Sequence, residues 1–160
     1  MPGTRITIRR AVSEDVKAIA HVLSDNPEIS WSESQLRDEI HGKHRLALVG
    51  FCDGLLVGFC FVRVVDESAE LLLIAIQPQV RRKGYASEIA RQMEALLRCQ
   101  GVREVFLEVR QSNEGAIQLY RELGYVQFGV RRKYYRNPVE DAILLKLPLT
   151  DCQPNDSGLD

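Results

Sequence analysis

Residues 105–125 read Val-Phe-Leu-Glu-Val-Arg-Gln-Ser-Asn-Glu-Gly-Ala-Ile-Gln-Leu-Tyr-Arg-Glu-Leu-Gly-Tyr, and the change of period inside them decides the fold. Val105 to Val109 is an apolar strand. Ala116, Ile117, Leu119, Tyr120 and Leu123 then recur at helical spacing, and Gly124 stands where that helix must stop. One step upstream, Ile89, Ala90, Met93, Leu96 and Leu97 repeat in the same way with Gly101 in the C-terminal cap position. This half of the chain therefore alternates helix, strand, helix.

Further upstream the period is that of strands. Ala69 to Ile76 is an apolar run halted by Pro78, and Leu46 to Phe51 and Leu55 to Val65 are joined through Cys52-Asp53-Gly54, whose Asp-Gly is a strong hairpin signal. Three consecutive strands read as an antiparallel meander. Before them, Ile6 and Ile8 mark a strand, and Ser13 offers a cap to a helix carrying Val16, Ile19, Ala20 and Leu23. After the break at Asn26-Pro27, Ser32-Glu33-Ser34-Gln35 has capping-box spacing, with Leu36 and Ile40 on one face before Gly42. At the other end, Tyr125 to Val130 and Asp141 to Leu147 close the chain as two strands separated by the basic, aromatic segment 131–138. The order is β-α-α-β-β-β-α-β-α-β-β. It predicts one α/β (α+β) domain over residues 1–150 with a mixed seven-stranded sheet and about four helices, then a polar, frayed tail over 151–160.

Composition narrows the function. In 160 residues, 45% hydrophobic and 27% charged is the balance of an ordinary globular chain and argues against disordered or collagen-like classes. A formal net charge of -1 is unlike that of a general nucleic-acid binder. Cys52, Cys60, Cys99 and Cys152 form no C-x-x-C pair, so neither a zinc site nor a disulfide framework is indicated, and a reducing cytoplasm is expected. With no signal-peptide core and no apolar stretch of about 18 residues, neither secretion nor membrane spanning is expected.

Two stretches carry chemistry. Arg81-Arg82-Lys83-Gly84-Tyr85-Ala86 follows a strand-ending proline and precedes a helix, the place where unpaired backbone N–H groups and the helix dipole favour a phosphate. A solvated basic turn reads equally well, and a Walker-A loop is excluded because no Gly-Lys-Ser or Gly-Lys-Thr is present. In the second stretch, Glu108 either faces solvent or enters a cleft as a base, and Tyr120 is either core or acid. Cys60 and Cys99 lack a neighbouring histidine signature, which leaves a cysteine nucleophile unsupported. His21, His41 and His44 precede this half of the chain and suggest neither catalysis nor a metal.

Taken together, Ile74-Ala75-Ile76-x-Pro78, Arg81-x-x-Gly84-x-Ala86 and Leu107-Glu108-Val109-Arg110-x-x-Asn113-x-x-Ala116-x-x-Leu119-Tyr120-x-x-x-Gly124-Tyr125 resemble the GCN5-related N-acetyltransferase (GNAT) family, from Arg5 to about Leu149. Trp31-Ser32, Arg131-Arg132-Lys133-Tyr134-Tyr135 and Glu140-Asp141-Ala142 make the chain most similar to the RimI-type enzymes that acetylate the N-terminal alanine of a ribosomal protein. The resemblance implies a splayed central strand pair that admits acetyl-CoA. Its arm would pair with the backbone of Ile74, Ala75 and Ile76, its pyrophosphate would sit on Arg82, Lys83, Gly84, Tyr85, Ala86 and Ser87, and Asn113 would hold the arm. It also implies Glu108 as general base and Tyr120 as general acid, with direct attack in a ternary complex and no metal. Ala86 stands where the motif's last glycine would be. Trp31, Tyr134 and Tyr135 are candidates for the acceptor side, with packing across the sheet as the equal alternative. The expected partner is a protein N-terminus, with no nucleic acid or membrane, on a monomer or weak dimer.

Physical chemistry favours such an acceptor. An α-ammonium titrates near ~8 and a lysine near ~10.4, so deprotonating the lysine at neutral pH costs about 3 kcal/mol more. A carboxylate with its reference near ~4.3 serves as base only when burial raises it or a water relays the proton. A phenol near ~10 donating fully to a thiolate near ~8.5 works uphill by roughly 2 kcal/mol, which makes Tyr120 a thiolate stabiliser before it is an acid. The alternatives are acetylation of a lysine or small-molecule amine, and a catalytically silent acetyl-CoA-binding module.

Overall fold

The computed structural model describes residues 5–25 and 31–150, so the Asn26-Pro27 break and the tail over 151–160 lie outside the described residues. Seven strands, β1 (Thr7–Arg10), β2 (Arg45–Cys52), β3 (Leu55–Val65), β4 (Ser68–Ile76), β5 (Glu104–Arg110), β6 (Val126–Tyr135) and β7 (Glu140–Pro148), form one sheet in the order β1-β2-β3-β4-β5-β7-β6. The α-helices among the described residues are α1 (Val16–Ser24), α2 (Glu33–His41), α3 (Tyr85–Cys99) and α4 (Glu114–Glu122), in the order the sequence predicts.

Local signals explain most of these boundaries. Asp53 and Gly54 both take positive φ, 52° and 77°, the type I′ geometry whose twist matches a two-residue hairpin. Ser32 Oγ accepts from the Gln35 N–H at 3.2 Å while Gln35 Oε1 accepts from the Ser32 N–H at 2.8 Å, completing the predicted capping box of α2. Helix α3 ends in a Schellman motif, with Val102 N–H on Leu97 O and Gly101 N–H on Arg98 O, both 3.0 Å.

Two expectations are corrected. Ser13 does not cap α1. It opens a short 3₁₀ turn and its hydroxyl pairs with His41 Nε2 at 2.6 Å, while Asp15 organises the helix entrance by accepting from the Val12 N–H at 2.8 Å and both Arg9 Nη atoms at 2.7 and 2.9 Å. The second concerns residues 131–138, which do not wholly separate the last two strands: β6 continues to Tyr135. An edge strand exposes one side to water, so basic side chains there cost little, and a register shift between Arg131 and Tyr135 absorbs the irregularity.

The core lies on both faces of the sheet. Ile89, Met93 and Leu97 of α3 and Tyr120 of α4 pack on one face with Leu48, Cys60, Leu107 and Leu145. On the other, Ile19 and Leu36 of α1 and α2 pack on Phe59 and Phe61. Gly50 and Gly58 are cross-strand partners, and a Cβ at either would lie within 3.3 Å of Ile89 Cδ1, so the pair forms the seat that lets α3 approach the sheet. Helices α1 and α2 lie over β2 to β4. On that same face, over β5, β7 and β6, Phe106, Phe128, Leu144 and Lys146 line an open groove of about 290 Å³ with Glu108 and Arg131.

Candidate active site

The sheet changes direction at its centre. Every neighbouring pair is antiparallel except β4 and β5, which are parallel and paired only at Ser68–Glu104, Ala69–Val105 and Glu70–Phe106. Beyond Glu70 and Phe106 the strands part, and the β5-facing backbone of Leu71 to Ile76 is left without a ladder partner. That gap is the predicted splay.

The turn into α3 lies at the end of this gap. The helix's first bond runs from Glu88 N–H to Gly84 O at 3.2 Å, so the N–H groups of Tyr85, Ala86 and Ser87 have no intrahelical acceptor. Gly84 has φ +83°, a conformation that disfavours any side chain, and the space where its Cβ would stand is open. Arg82 also sits at positive φ, 67°, a cost a non-glycine residue meets where its surroundings demand the turn. Arg82, Lys83 and Gly84 are exposed while Tyr85 is buried with its Oη 3.6 Å from Cys52 Sγ. The Tyr85 ring is thus an anchor for the turn, and its backbone N–H is the part a phosphate can use. The contact with Cys52, more than burial, raises the Tyr85 phenol above its ordinary value. These features fit the pyrophosphate and arm of acetyl-CoA: a ladder edge for amides and a cradle of free N–H groups at a helix start.

Asn113, expected to hold the arm, is the N-cap of α4, its Oδ1 accepting from the Ala116 N–H at 3.2 Å. Its carbonyl oxygen is therefore already committed to the helix.

Glu108 and Tyr120 stand on opposite sides of β5. Val105, Leu107 and Val109 are buried against the α3 and α4 face with Tyr120, so the alternation of the strand turns Glu108 to the other face. There Arg131 Nε lies 3.4 Å from Glu108 Oε1, and the Tyr134 hydroxyl donates to the Glu108 carboxylate, which raises the Tyr134 phenol above its ordinary value. Glu70, from the last paired position of β4, adds to that effect. Tyr135 is half-buried, with its ring 4.3 Å from the Arg110 guanidinium. Burial, then Glu108 and Tyr134, raise its phenol, and Tyr135 in turn acts on Tyr120. Arg110 is itself paired with Glu140 at 3.4 Å, and Glu140 also accepts from the Ser112 N–H, which pins the end of β5 to the start of β7.

Tyr120 is buried, and burial first, then Cys60 and Tyr135, push its phenol far above the ordinary value. It stays protonated at neutral pH, fit to donate a hydrogen bond. Burial likewise pushes the Cys60 thiol up to about 12, which keeps it neutral and a poor nucleophile. Trp31 stacks on Phe61 with centroids 5.3 Å apart and an angle of 16°, so its indole packs over the sheet beside the capping box. Among the described residues, no cluster of three or more His, Cys, Asp or Glu side chains is arranged to hold a metal ion, and no helix is long and apolar enough to cross a membrane.

A parallel pair that splays at mid-sheet, with an anion cradle at one end and a carboxylate and a phenol flanking the gap, defines an N-acetyltransferase fold, and the chain belongs to the acetyltransferase (GNAT) family, whose model matches residues 16–125. It is similar to the ribosomal protein bS18-alanine N-acetyltransferase of Escherichia coli strain K12, with 32% identity over 146 residues that cover 90% of this chain and 98% of that one. The crystal structure of the E. coli ribosomal-protein-S18-alanine N-acetyltransferase superposes with a TM-score of 0.84 at 31% identity, covering 94% of this chain and 98% of that chain. An N-alpha-acetyltransferase of Sulfurisphaera tokodaii is 34% identical over 110 residues, 61% of this chain and 65% of its own length.

Sequence reasoning quoted Arg131 and Tyr125 only within motifs and did not single out Glu70 or Glu94. The signal available for Arg131 was its neighbour Tyr134, but only the β6–β7 register places both beside Glu108.

Proposed function

We propose that this enzyme transfers the acetyl group of acetyl-CoA to the α-amine of a protein N-terminus, an alanine of a small-subunit ribosomal protein by similarity to its relatives. The observation that carries the reading is the separation of Glu108 and Tyr120 onto opposite faces of β5, the strand that borders the splayed gap. Acetyl-CoA supplies the thioester. The acceptor amine approaches from the Glu108 side, with Tyr134, Arg131 and Glu70 around the carboxylate, and its proton leaves there directly or through one water. Tyr120 on the α4 side hydrogen-bonds the departing thiolate. The orphan N–H groups of Tyr85, Ala86 and Ser87 hold the pyrophosphate, and Arg82 and Lys83 steer it in. Tyr134 and Tyr135 shape the acceptor entrance, while Trp31 supports it through Phe61. Asn113 acts through its cap, setting the direction in which α4 presents Tyr120.

An α-amine acceptor suits this geometry because a single carboxylate has to remove a proton from a group titrating near ~8. Incubation with acetyl-CoA and peptides beginning with Ala, Ser, Gly or Met, read by mass spectrometry, tests it. Acetylation of the free Ala peptide and none of an Nα-blocked peptide carrying a lysine is expected. Equal acetylation of the blocked peptide would move the activity to lysines or small amines, and coenzyme binding without transfer to any amine would leave a silent module.

A further inference from the structure

The groove that holds Glu108 continues past it. Glu104, Phe106 and Glu108 share one face of β5, and the strand register sets Leu144 of β7 beside Glu108 and Lys146 beside Phe106. Phe128 joins them from β6, where the register shifts between Gln127 and Gly129. The result is an apolar floor of Phe106, Phe128 and Leu144 that leads away from the carboxylate toward Glu104. Gly129 keeps this floor clear, since a Cβ there would lie 3.3 Å from Leu144 Cδ1.

This strip is exposed and continuous with the site. Among the described residues, the aromatic side chains that stand out as large exposed hydrophobics are Phe128, 49% exposed, and Tyr134, 47% exposed. Both belong to this face: one lines the groove and the other donates to Glu108. A single exposed apolar residue is ordinary, whereas an apolar groove that starts at a candidate catalytic group is a place for a ligand. Its cations are already engaged, Arg131 with Glu108 at 3.4 Å and Lys146 over the Phe128 ring at 5.3 Å, so the floor offers a chain apolar contact.

A chain whose α-amine lies at Glu108 has one open direction along β5. Toward Arg110 the face is filled, because the Tyr135 ring lies 4.3 Å from that guanidinium, which Glu140 also pairs. Over β2 to β4 it is covered by α1 and α2. The open course runs toward Glu104. An extended chain advances about 3.4 Å per residue, as the strand beneath it does, and turns alternate side chains to the same side. With residue 1 of the acceptor over Glu108, residue 3 falls over Phe106, about 7 Å along, and faces the floor.

We propose that this groove is a specificity subsite for the acceptor, which takes the third residue of the N-terminal segment and selects a bulky apolar or aromatic side chain there. The inference rests on Glu108 facing the acceptor amine and adds which acceptor residue is read, and by which side chains. Lys146 beside Phe106 sharpens the choice by repelling a cationic third residue.

The test uses the full-length enzyme, acetyl-CoA and peptides that begin with Ala and differ only at residue 3, which is Phe, Leu, Ala or Lys. In the wild-type enzyme kcat/KM should be about tenfold higher for Phe or Leu than for Ala, with Lys lowest. Phe128→Ala should reduce the ratio of Phe to Ala peptides toward one. Lys146→Glu exchanges the cation for an acid and should raise the Lys peptide several-fold relative to the Ala peptide. Both positions lie on the partly exposed face, and each variant is read as a ratio between peptides, so a general loss of active protein does not imitate the result. Equal rates for all four peptides, or a preference that both variants leave intact, would overturn the subsite while leaving N-terminal acetylation in place. No acetylation of any free N-terminus would instead overturn the reading of Glu108 and the subsite together.

Discussion

The two faces of β5 differ in what they ask of their neighbours. Val105, Leu107 and Val109 face a dry interior closed by α3 and α4, where Tyr120 is held by its helix cap and the ring of Tyr125. One residue along, Glu108 faces an open groove with Arg131 and Tyr134, which belong to an edge strand and are largely exposed. In the proposed reaction the dry face serves one fixed leaving group, whereas the open face admits a chain end from water. Strand alternation in β5 thus turns Glu108 to the open face while its neighbours Leu107 and Val109 pack with Tyr120 of α4 on the dry one.

The largest expected effects fall on the two candidate catalytic side chains and should separate the faces. Tyr120→Phe should lower turnover ten- to a thousandfold with little change in acetyl-CoA affinity, as when a hydrogen bond made mainly in the transition state is lost. Glu108→Gln should also lower turnover at neutral pH, but raising the pH toward ~8, where the acceptor amine loses its own proton, should partly restore it, and no such rescue should appear for Tyr120→Phe. Steady-state kinetics across pH checks both. Identical pH profiles for the two variants would break the division between the faces.

A second measurement isolates the cofactor end. Gly84→Asp places a carboxylate and a strained side chain at φ +83°, against the N–H groups proposed to hold the pyrophosphate. Acetyl-CoA should raise the melting temperature of the wild-type enzyme in a concentration-dependent way, and the variant should lose that shift. An unchanged shift would remove the turn from the site.

The smallest effect belongs to the framework under α1. Burial alone would raise the Asp15 carboxyl, but the Arg9 guanidinium and the Val12 N–H outweigh it and hold it below its ordinary value. A carboxyl lowered on folding stabilises above its unfolded value near ~3.9, and that contribution is lost as pH falls through the folded value. Asp15→Asn should therefore cost about 1–2 kcal/mol in denaturant melts at pH 7, with the difference shrinking below about pH 4. Acetyl-CoA affinity should not change, because Asp15 belongs to the α1 entrance and not to the gap.

The chain's own residues determined the elements and the turn into α3. Asp53-Gly54, the Ser32-to-Gln35 box, and Gly101 and Gly124 at helix ends act through hydrogen bonds spanning a few residues, so they operate wherever the rest of the chain goes. The Arg81-to-Ala86 turn is legible for the same reason: a cradle of backbone N–H groups at a helix start is local. Ser13 misled because Asp15, two residues on, finds Arg9 on β1 and makes a stronger, charge-assisted entrance. The tertiary structure alone decided the rest. Arg131 reaches Glu108 because β7 lies between β5 and β6, and Glu94 shares an interior with Tyr125 because the Gly50 and Gly58 seat draws α3 onto the sheet. Such contacts join residues more than twenty positions apart, and a linear pattern carries no information on distance across a sheet. Only pairing register and helix seating decide which buried groups share an interior and which carboxylate stays open to water.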